Sequence, residues 1–352
     1  MRSKIIGTGA YIPELIIDND YFLGHTFYGP DKKKIVQPQE TIIRKFKEIT
    51  GISQRRYAAA GITSSDMGSM AAEEAIEKAQ IDREDIDLIV VAHNYGDMSH
   101  NGAPRDMVPS VASRVKHKLG IKNPNCIAYD VIFGCPGWLH ALIQADLYIQ
   151  TGRAVNCLVI GSETLSRVLD PNDRDSLIFS DGAGATLVQK TAGDNGLFNS
   201  ATITHSFDEI DYIVSAEGVA GEVTDPQFIR MKGRKVYEYA LKHVPQAMKD
   251  CFDSSGQDIK DLKMIFIHQA NEKMDEAIVK RFFELYGISE LPDHIMPMNI
   301  GSMGNSSVAT IPTLLNQVLE GELPGYSLGQ GDIILFASVG AGMNINAATY
   351  KF

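Results

Sequence analysis

Cys135 is the residue of this chain whose setting most suggests chemistry. It lies where an apolar, strand-like run ends at Gly134-Cys135-Pro136-Gly137 and a helical pattern follows. Proline suits the first turn of a helix because its missing N–H would be unpaired there. We therefore predict that Cys135 lies at or next to a helix N-cap, where the helix dipole favours a thiolate. The alternative is a structural thiol buried at a tight turn.

Two polar residues in the second half could complete such a site. His268 ends an apolar run and Asn305 lies in a glycine-rich loop before a helical pattern. Reactive groups of α/β sheets gather at the carboxyl ends of strands, although His268 could also be structural and Asn305 a helix cap. With Cys135 they would supply a thiolate nucleophile and two neutral donors for an enolate oxygen. Carbon–carbon bond formation on thioesters requires that combination.

The elements that must position these residues alternate between strand-like and helical patterns, which predicts an α/β fold. We predict strands at 88–92, 155–160, 264–267 and 333–337, and helices at 108–119, 136–150, 272–286 and 311–319. Two of these strands recur about half a chain later, which suggests a duplicated unit. The turn-rich segment 191–196 then divides the chain into halves 1–195 and 196–352. Two polar segments, 18–39 and 98–106, are predicted surface excursions that could cover a substrate entrance.

Bulk composition excludes several classes of function. The chain has 352 residues, 44% of them hydrophobic, and a net charge of −11, which disfavours nucleic acid as a partner. No run approaches the roughly 18 to 20 apolar residues of a membrane helix, and no signal-peptide pattern is found, so we predict a cytoplasmic protein. Its four cysteines show no metal-ligand spacing and are too few for a disulfide framework. We expect reduced thiols and no metal site.

The chain resembles the thiolase superfamily, and within it the β-ketoacyl-acyl-carrier-protein (ACP) synthase III group, nearly from end to end. The resemblance rests on a series of motifs in order: Gly7-Thr8-Gly9-Ala10-Tyr11-Ile12-Pro13, Gly51-Ile52 with Arg55-Arg56, the Cys135 elbow, Phe179-Ser180-Asp181-Gly182-Ala183-Gly184-Ala185, Met231-Lys232-Gly233-Arg234-Lys235-Val236, His268-Gln269-Ala270-Asn271, Gly304-Asn305-Ser306-Ser307 and Gly340-Ala341-Gly342. It implies two similar halves in a five-layered α-β-α-β-α fold, and a homodimer.

The resemblance also implies roles and a mechanism. Cys135 would accept an acyl group from a thioester, and His268 and Asn305 would promote decarboxylation of a malonyl thioester whose enolate attacks that acyl group. The backbone N–H groups of Cys135 and Ala341 would form an oxyanion hole, although Ala341 replaces the glycine usual in the family. The implied substrates are acyl and malonyl thioesters carried on acyl carrier protein or coenzyme A. No metal or redox cofactor is required.

The chain departs from the family pattern where the substrate is chosen. The tryptophan and arginine that hold the adenine of coenzyme A in many members fall on Lys45 and Ile49, and Val108 replaces the bulky aromatic that reaches into the partner subunit's acyl pocket. Val108 could therefore admit a longer or branched acyl group, and the preceding segment 94–106 is longer than usual. The lost adenine clamp favours a carrier-protein donor.

Basic residues follow His268 at helical spacing. Lys273, Lys280 and Arg281 fall where the family has basic residues near the entrance, and they could dock an acidic carrier protein. A solvated helix face with charges at seven-residue spacing would look the same in sequence.

We therefore predict a condensing acyltransferase that makes a 3-oxoacyl-ACP, as in the initiation of fatty acid biosynthesis. An alternative is a specialised-metabolism ketosynthase or acyltransferase of the same fold, for example one forming a cyclohexanedione or alkylresorcinol precursor. A third is a non-catalytic thiolase-fold partner, against which the retained Cys135, His268 and Asn305 argue.

Overall fold

The computed structural model describes residues 1–29, 31–220 and 228–352. Its strands are β1 (Arg2–Tyr11), β2 (Leu15–Asp18), β3 (Gln54–Tyr57), β4 (Leu88–Ala92), β5 (Ile127–Val131), β6 (Asn156–Thr164), β7 (Asp181–Thr191), β8 (Gly196–Thr204), β9 (Ile213–Ala216), β10 (Phe228–Met231), β11 (Leu262–Ile267), β12 (Ile333–Gly340) and β13 (Asn344–Lys351). Its α-helices are α1 (Gln39–Thr50), α2 (Ser64–Ala79), α3 (Val111–Lys118), α4 (Gly137–Gln150), α5 (Gly233–Ser254), α6 (Glu272–Glu284), α7 (Ile300–Met303) and α8 (Thr310–Leu319).

Two mixed sheets organise the fold. The first has the order β1-β7-β6-β4-β5 and the second the order β11-β12-β13-β8. Within them, β4 runs parallel to β5 and β6, and β11 runs parallel to β12. Every residue of β4 and β6 is buried because helices cover both faces of the sheet.

The helices form three layers around the two sheets. Helices α4 and α8 lie between the sheets, where α4 packs on β6 and β4 and α8 packs on β7 and β11. Helices α2 and α3 cover the outer face of the first sheet, and α5 and α6 cover the second sheet. The predicted five-layered α-β-α-β-α arrangement is thereby confirmed. No described helix is long and apolar enough to cross a membrane.

All eight predicted strands and helices are present, with shifts at their ends. The largest shift is at the end of β6, which runs to Thr164 rather than to 160. The largest shift of a start is at α3, which begins at Val111 rather than at 108. Ser110 is its N-cap, and its hydroxyl accepts a hydrogen bond of 3.1 Å from the N–H of Ser113. The segments predicted as surface excursions are partly internal, since Phe22, Phe27 and Met98 belong to one buried cluster.

The strand ends position the candidate residues. Cys135 follows β5, His268 follows β11, and Gly340 ends β12. Parallel neighbours end at the same edge of their sheet, so the two halves present their reactive segments to each other.

Candidate active site

A sharp turn between β5 and α4 presents Cys135. Gly134 has a φ of +67°, and a Cβ there would lie 2.6 Å from the backbone nitrogen of Ala341, so only glycine fits without displacing that segment. Pro136 is the N-cap of α4, which places Cys135 directly before the cap as predicted. The turn therefore brings the Cys135 segment against the segment that follows β12.

The Cys135 side chain is partly exposed and is hydrogen-bonded to Ser307, whose Oγ lies 3.4 Å from Sγ. Desolvation raises the pKa of the thiol to about 11, although the bond from Ser307 lowers it. The resting sulfur is therefore a thiol at neutral pH. Desolvation thus opposes the thiolate that the helix dipole was predicted to favour. Proton loss must accompany the attack on a thioester.

Backbone bonds on both sides hold Asn305. Its N–H donates to Ile178 O at 2.8 Å, and its carbonyl accepts from the N–H of Ser180 at 2.8 Å. Its side-chain Oδ1 accepts a bond of 2.8 Å from the N–H of Ser307. This bond assigns the amide orientation and leaves both Nδ2 hydrogens available to a substrate oxygen.

Gly304 allows the Asn305 loop to approach strand β3 closely. Its φ is +64°, and a Cβ there would lie 2.9 Å from the Cβ of the buried Arg55.

His268 is buried and uncharged. Its backbone N–H donates to Ala337 O at 2.9 Å, and its Nδ1 lies 2.7 Å from Oγ1 of Thr310. Burial lowers the pKa of the imidazole to about 4, so the ring is neutral at physiological pH. The Thr310 hydroxyl has one proton, which goes either to His268 Nδ1 or to the Ser307 carbonyl 3.0 Å away. When it goes to Nδ1, the ring carries its own proton on Nε2, and Nε2–H is then the second donor available to a substrate.

The three candidate residues meet at one short segment, 305–310. Ser307 contacts Cys135 and Asn305, and its carbonyl lies 3.0 Å from Oγ1 of Thr310, the partner of His268. Sequence reasoning missed Ser307 and Thr310 as parts of the site. The available signal was their place directly after Asn305, but their partners lie in other parts of the chain.

The candidate oxyanion hole lies where two loops cross. A Cβ at Gly340 would come within 2.4 Å of the Cys135 backbone nitrogen. Ala341 does not take the left-handed conformation, whereas Gly342 does with a φ of +76°. Alanine is therefore compatible with position 341, because the left-handed position of this turn is the next one and is occupied by Gly342.

A cavity of about 470 Å³ borders the segment that follows His268. Ala270 and Asn271 line it at one end, and Lys45 and Ile49, the positions of the missing adenine clamp, line its wall. Arg174 and Arg234 also line it and are shared with a neighbouring cavity of about 850 Å³. Sequence reasoning did not single out these two arginines. The cavity combines apolar walls with cationic side chains, of which Arg174 and Arg234 are ion-paired with Asp175 and Glu238.

The remaining predicted residues are on the surface. Val108 is 85% exposed. Lys273 and Lys280 are exposed on α6, and Lys273 precedes Met274, which lines the cavity. Arg281 has a structural contact, since its Nη1 donates to Leu241 O at 2.8 Å.

The backbone carbonyl of Leu241 needs a hydrogen-bond donor from outside its own helix, α5. Pro245 lies inside α5 four residues after Leu241 and has no N–H to donate. Arg281 therefore satisfies a backbone group that the helix itself leaves unpaired.

The other cysteines, Cys126, Cys157 and Cys251, are buried and make no disulfide. Within the described residues, no three His, Cys, Asp or Glu side chains are grouped so as to hold a metal ion.

Comparisons with known proteins agree with this architecture. Residues 129–206 match the family model of 3-oxoacyl-[acyl-carrier-protein (ACP)] synthase III, and residues 252–352 match the model of its C-terminal part. The chain is 35% identical to β-ketoacyl-[acyl-carrier-protein] synthase III 1 of Vibrio vulnificus, with 100% of both chains covered.

Solved structures with the same fold include the synthase III of Aquifex aeolicus, with a TM-score of 0.81, 27% identity, and coverage of 99% of this chain and 100% of that one. The priming β-ketosynthase of the R1128 polyketide pathway has a TM-score of 0.80, 26% identity, and coverage of 99% and 96%. The full-length likeness to the Vibrio enzyme shows that the chain belongs to the 3-oxoacyl-[acyl-carrier-protein] synthase III family of condensing acyltransferases.

Proposed function

We propose that this chain condenses an acyl thioester with a malonyl thioester to give a 3-oxoacyl-ACP, the step that initiates fatty acid synthesis. The observation that carries the proposal is the convergence of Cys135 with two uncharged donors, His268 and Asn305, on segment 305–310.

In the first half-reaction, the sulfur of Cys135 attacks the carbonyl of an acyl thioester. The backbone N–H groups of Cys135 and Ala341 stabilise the oxyanion of the tetrahedral intermediate. Collapse of the intermediate breaks the donor's C–S bond, and the proton of the Cys135 thiol leaves with the released carrier thiol. The cysteine now carries the acyl group.

In the second half-reaction, a malonyl thioester loses carbon dioxide, and its bonding electrons form an enolate. Nε2–H of His268 and Nδ2–H of Asn305 donate to the enolate oxygen. The enolate carbon attacks the acyl carbonyl, the C–S bond to Cys135 breaks, and the sulfur takes up a proton. Uncharged donors suit this step because burying a charged His268 imidazole in the site would cost desolvation free energy.

Product analysis tests the proposal. Purified protein is mixed with malonyl-ACP and a series of acyl-ACP and acyl-coenzyme A donors, and products are identified by mass spectrometry. A 3-oxoacyl-ACP is expected, formed faster from acyl-ACP because the adenine clamp is absent at Lys45 and Ile49. Absence of both product and acyl-enzyme would favour the non-catalytic partner. Faster reaction from coenzyme A donors would overturn the carrier preference.

A second candidate is a specialised ketosynthase, which the exposed, small Val108 favours. Val108 leaves room for a longer or branched acyl group if it lines a partner's pocket. Highest activity with donors of about ten or more carbons, or release of a cyclised product, would support this alternative.

We propose that the carrier protein docks on the α6 surface near Lys273. We expect Lys273→Glu to raise KM for acyl-ACP roughly three- to tenfold with kcat unchanged, since a rim charge acts mainly on association. Lys280 lies about 10 Å farther along the helix, so Lys280→Glu should act more weakly. An unchanged KM in both variants at low salt would argue for a solvated helix face.

Arg281 is expected to behave differently because it also bonds to Leu241 O. Arg281→Met should lower the free energy of unfolding by about 1 to 3 kcal/mol, the cost of leaving that carbonyl without a donor. Lys280→Met, one residue earlier and exposed, is the matched control. Denaturation of both variants in urea would show equal stability if Arg281 were only a docking residue.

We propose that the protein is a homodimer formed at the free edge of β5. Within the described chain, β5 pairs only with β4, and Ile127 at its start and Ile132 directly after its end are exposed by 51% and 59%. An open edge with apolar side chains favours pairing with a second chain. Replacing both isoleucines by glutamate should weaken the dimer at least about tenfold in sedimentation, whereas Leu285→Glu at the C-cap of α6 should not. A monomeric wild-type protein at micromolar concentration would overturn the proposal.

The division into halves 1–195 and 196–352 is also a proposal. It is supported by the change of sheet between β7, which ends at Thr191, and β8, which begins at Gly196. The cytoplasmic location and the absence of a cofactor stay predictions.

A further inference from the structure

A partly buried series of hydrogen-bonded side chains leads from Glu163 to the sulfur of Cys135. Glu163, on β6, is fully buried, and its Oε2 accepts from the backbone N–H of Asn94 at 2.7 Å and from Asn94 Nδ2 at 2.8 Å. Asn94 Nδ2 also lies 3.2 Å from Ser307 Oγ, which lies 3.4 Å from Cys135 Sγ. The chain joins β6, the segment after β4, and the Asn305 loop.

The direction of these bonds follows from the groups themselves. Burial raises the pKa of Glu163 to about 6, so above that pH its carboxylate is ionised and only accepts, which turns the Asn94 amide to present Nδ2. That nitrogen only donates, and its second hydrogen is directed at Ser307 Oγ. The hydroxyl accepts this bond and keeps its own proton for the sulfur.

The backbone of Ser307 is held in an unusual conformation that maintains this contact. Its φ is +54°, which a non-glycine residue adopts rarely, and its N–H is bonded to Oδ1 of Asn305. Strain of this kind persists where the surroundings over-determine it.

We infer that Ser307 is a further catalytic residue whose hydroxyl donates to the developing thiolate of Cys135, and that Asn94 and Glu163 are the positioning residues that direct it. The inference rests on the proposed function in that it assigns the nucleophile to Cys135. Besides desolvation, the negative charge of Glu163 raises the pKa of Cys135, and the Ser307 hydroxyl offsets part of both effects. It does so from the segment that also carries Asn305.

The rate of Cys135 alkylation by iodoacetamide between pH 6 and 10, read by intact mass, tests the inference without any acyl substrate. We expect Ser307→Ala to move the alkylation midpoint upward and to slow alkylation at pH 8 roughly tenfold or more, the loss of a hydrogen bond to a charged acceptor. Asn94→Ala should shift the profile in the same direction by less. Ser306→Ala is the matched control, because that hydroxyl makes no hydrogen bond within the described residues.

A Ser307→Ala profile that superposes on the wild-type profile would overturn the inference. If Ser307→Ala does not fold, Asn94→Ala decides the same question, since it removes the directing donor and leaves the 305–310 loop unchanged. Failure of the inference is distinguishable from failure of the proposed function. If the wild-type protein condenses its substrates but Ser307→Ala leaves the alkylation profile unchanged, only the inference fails. Alkylation of Cys135 is measurable even in a protein that does not condense substrates.

Discussion

Cys135→Ala is expected to abolish acylation of the protein by every donor and to reduce condensation by at least about a thousandfold. Removal of the nucleophile in a covalent mechanism eliminates the intermediate, and the remaining groups cannot replace it. Decarboxylation of the malonyl thioester should stay measurable in this variant, because His268 and Asn305 are untouched. Intact-mass measurement of the acyl increment and release of carbon dioxide separate the two half-reactions.

Cys126→Ala is the matched control for this experiment, since Cys126 is a buried thiol outside the site. The control should retain the acyl increment of the wild type. An increment that survives in Cys135→Ala and disappears when another cysteine is replaced would contradict the assignment of the nucleophile.

Asn305→Ala is expected to slow decarboxylation about 10²- to 10³-fold while acylation of Cys135 changes by only a few fold. The range is that for loss of one donor to a developing oxyanion. His268→Ala should have an effect of the same size. Single-turnover acylation and release of carbon dioxide, measured separately, give the two rates.

Neutral His268 also sets an expected pH dependence. Burial lowers its pKa to about 4, so the ring does not gain a proton between pH 8 and pH 6. Protonation of His268 should therefore not lower the rate of decarboxylation in that interval. The rate should begin to fall only as the pH approaches 4. A decline centred near 6.5 would contradict the neutral donor. His294→Ala, at a histidine outside segment 305–310, is the control variant.

Departures between sequence-based prediction and structure have a local cause in one case and a long-range cause in another. Helix α3 starts three residues later than its hydrophobic pattern because the Ser110 cap is a local contact that apolar spacing does not report. Phe22 and Phe27 lie in a segment of mainly polar composition, yet both are buried against other parts of the chain. In each case an individual contact outweighed the average character of the segment.

Arg281 is a more instructive case. Its helical spacing from Lys273 and its charge suggested docking, and its contact with Leu241 O is invisible in sequence. The sequence nevertheless indicates that such a contact is needed, since Pro245 leaves the carbonyl of Leu241, four residues before it, without a donor within the helix. Sequence shows that a donor is missing, and only the packing of α6 on α5 shows which residue supplies it.

The sequence by itself determined the α/β class, the strands and helices and the turn that presents Cys135, because apolar periodicity and the glycine and proline positions act over a few residues. It also identified Cys135, His268 and Asn305 as candidates through the motifs around them. Only the tertiary structure decided that these three residues converge on segment 305–310. It also decided that Glu163, Asn94 and Ser307 form a series of hydrogen bonds that leads to the sulfur. The protonation states of Cys135 and His268 were decided there too. Desolvation and hydrogen bonding depend on which distant groups surround a side chain, and those neighbours exist only once the two halves have packed together.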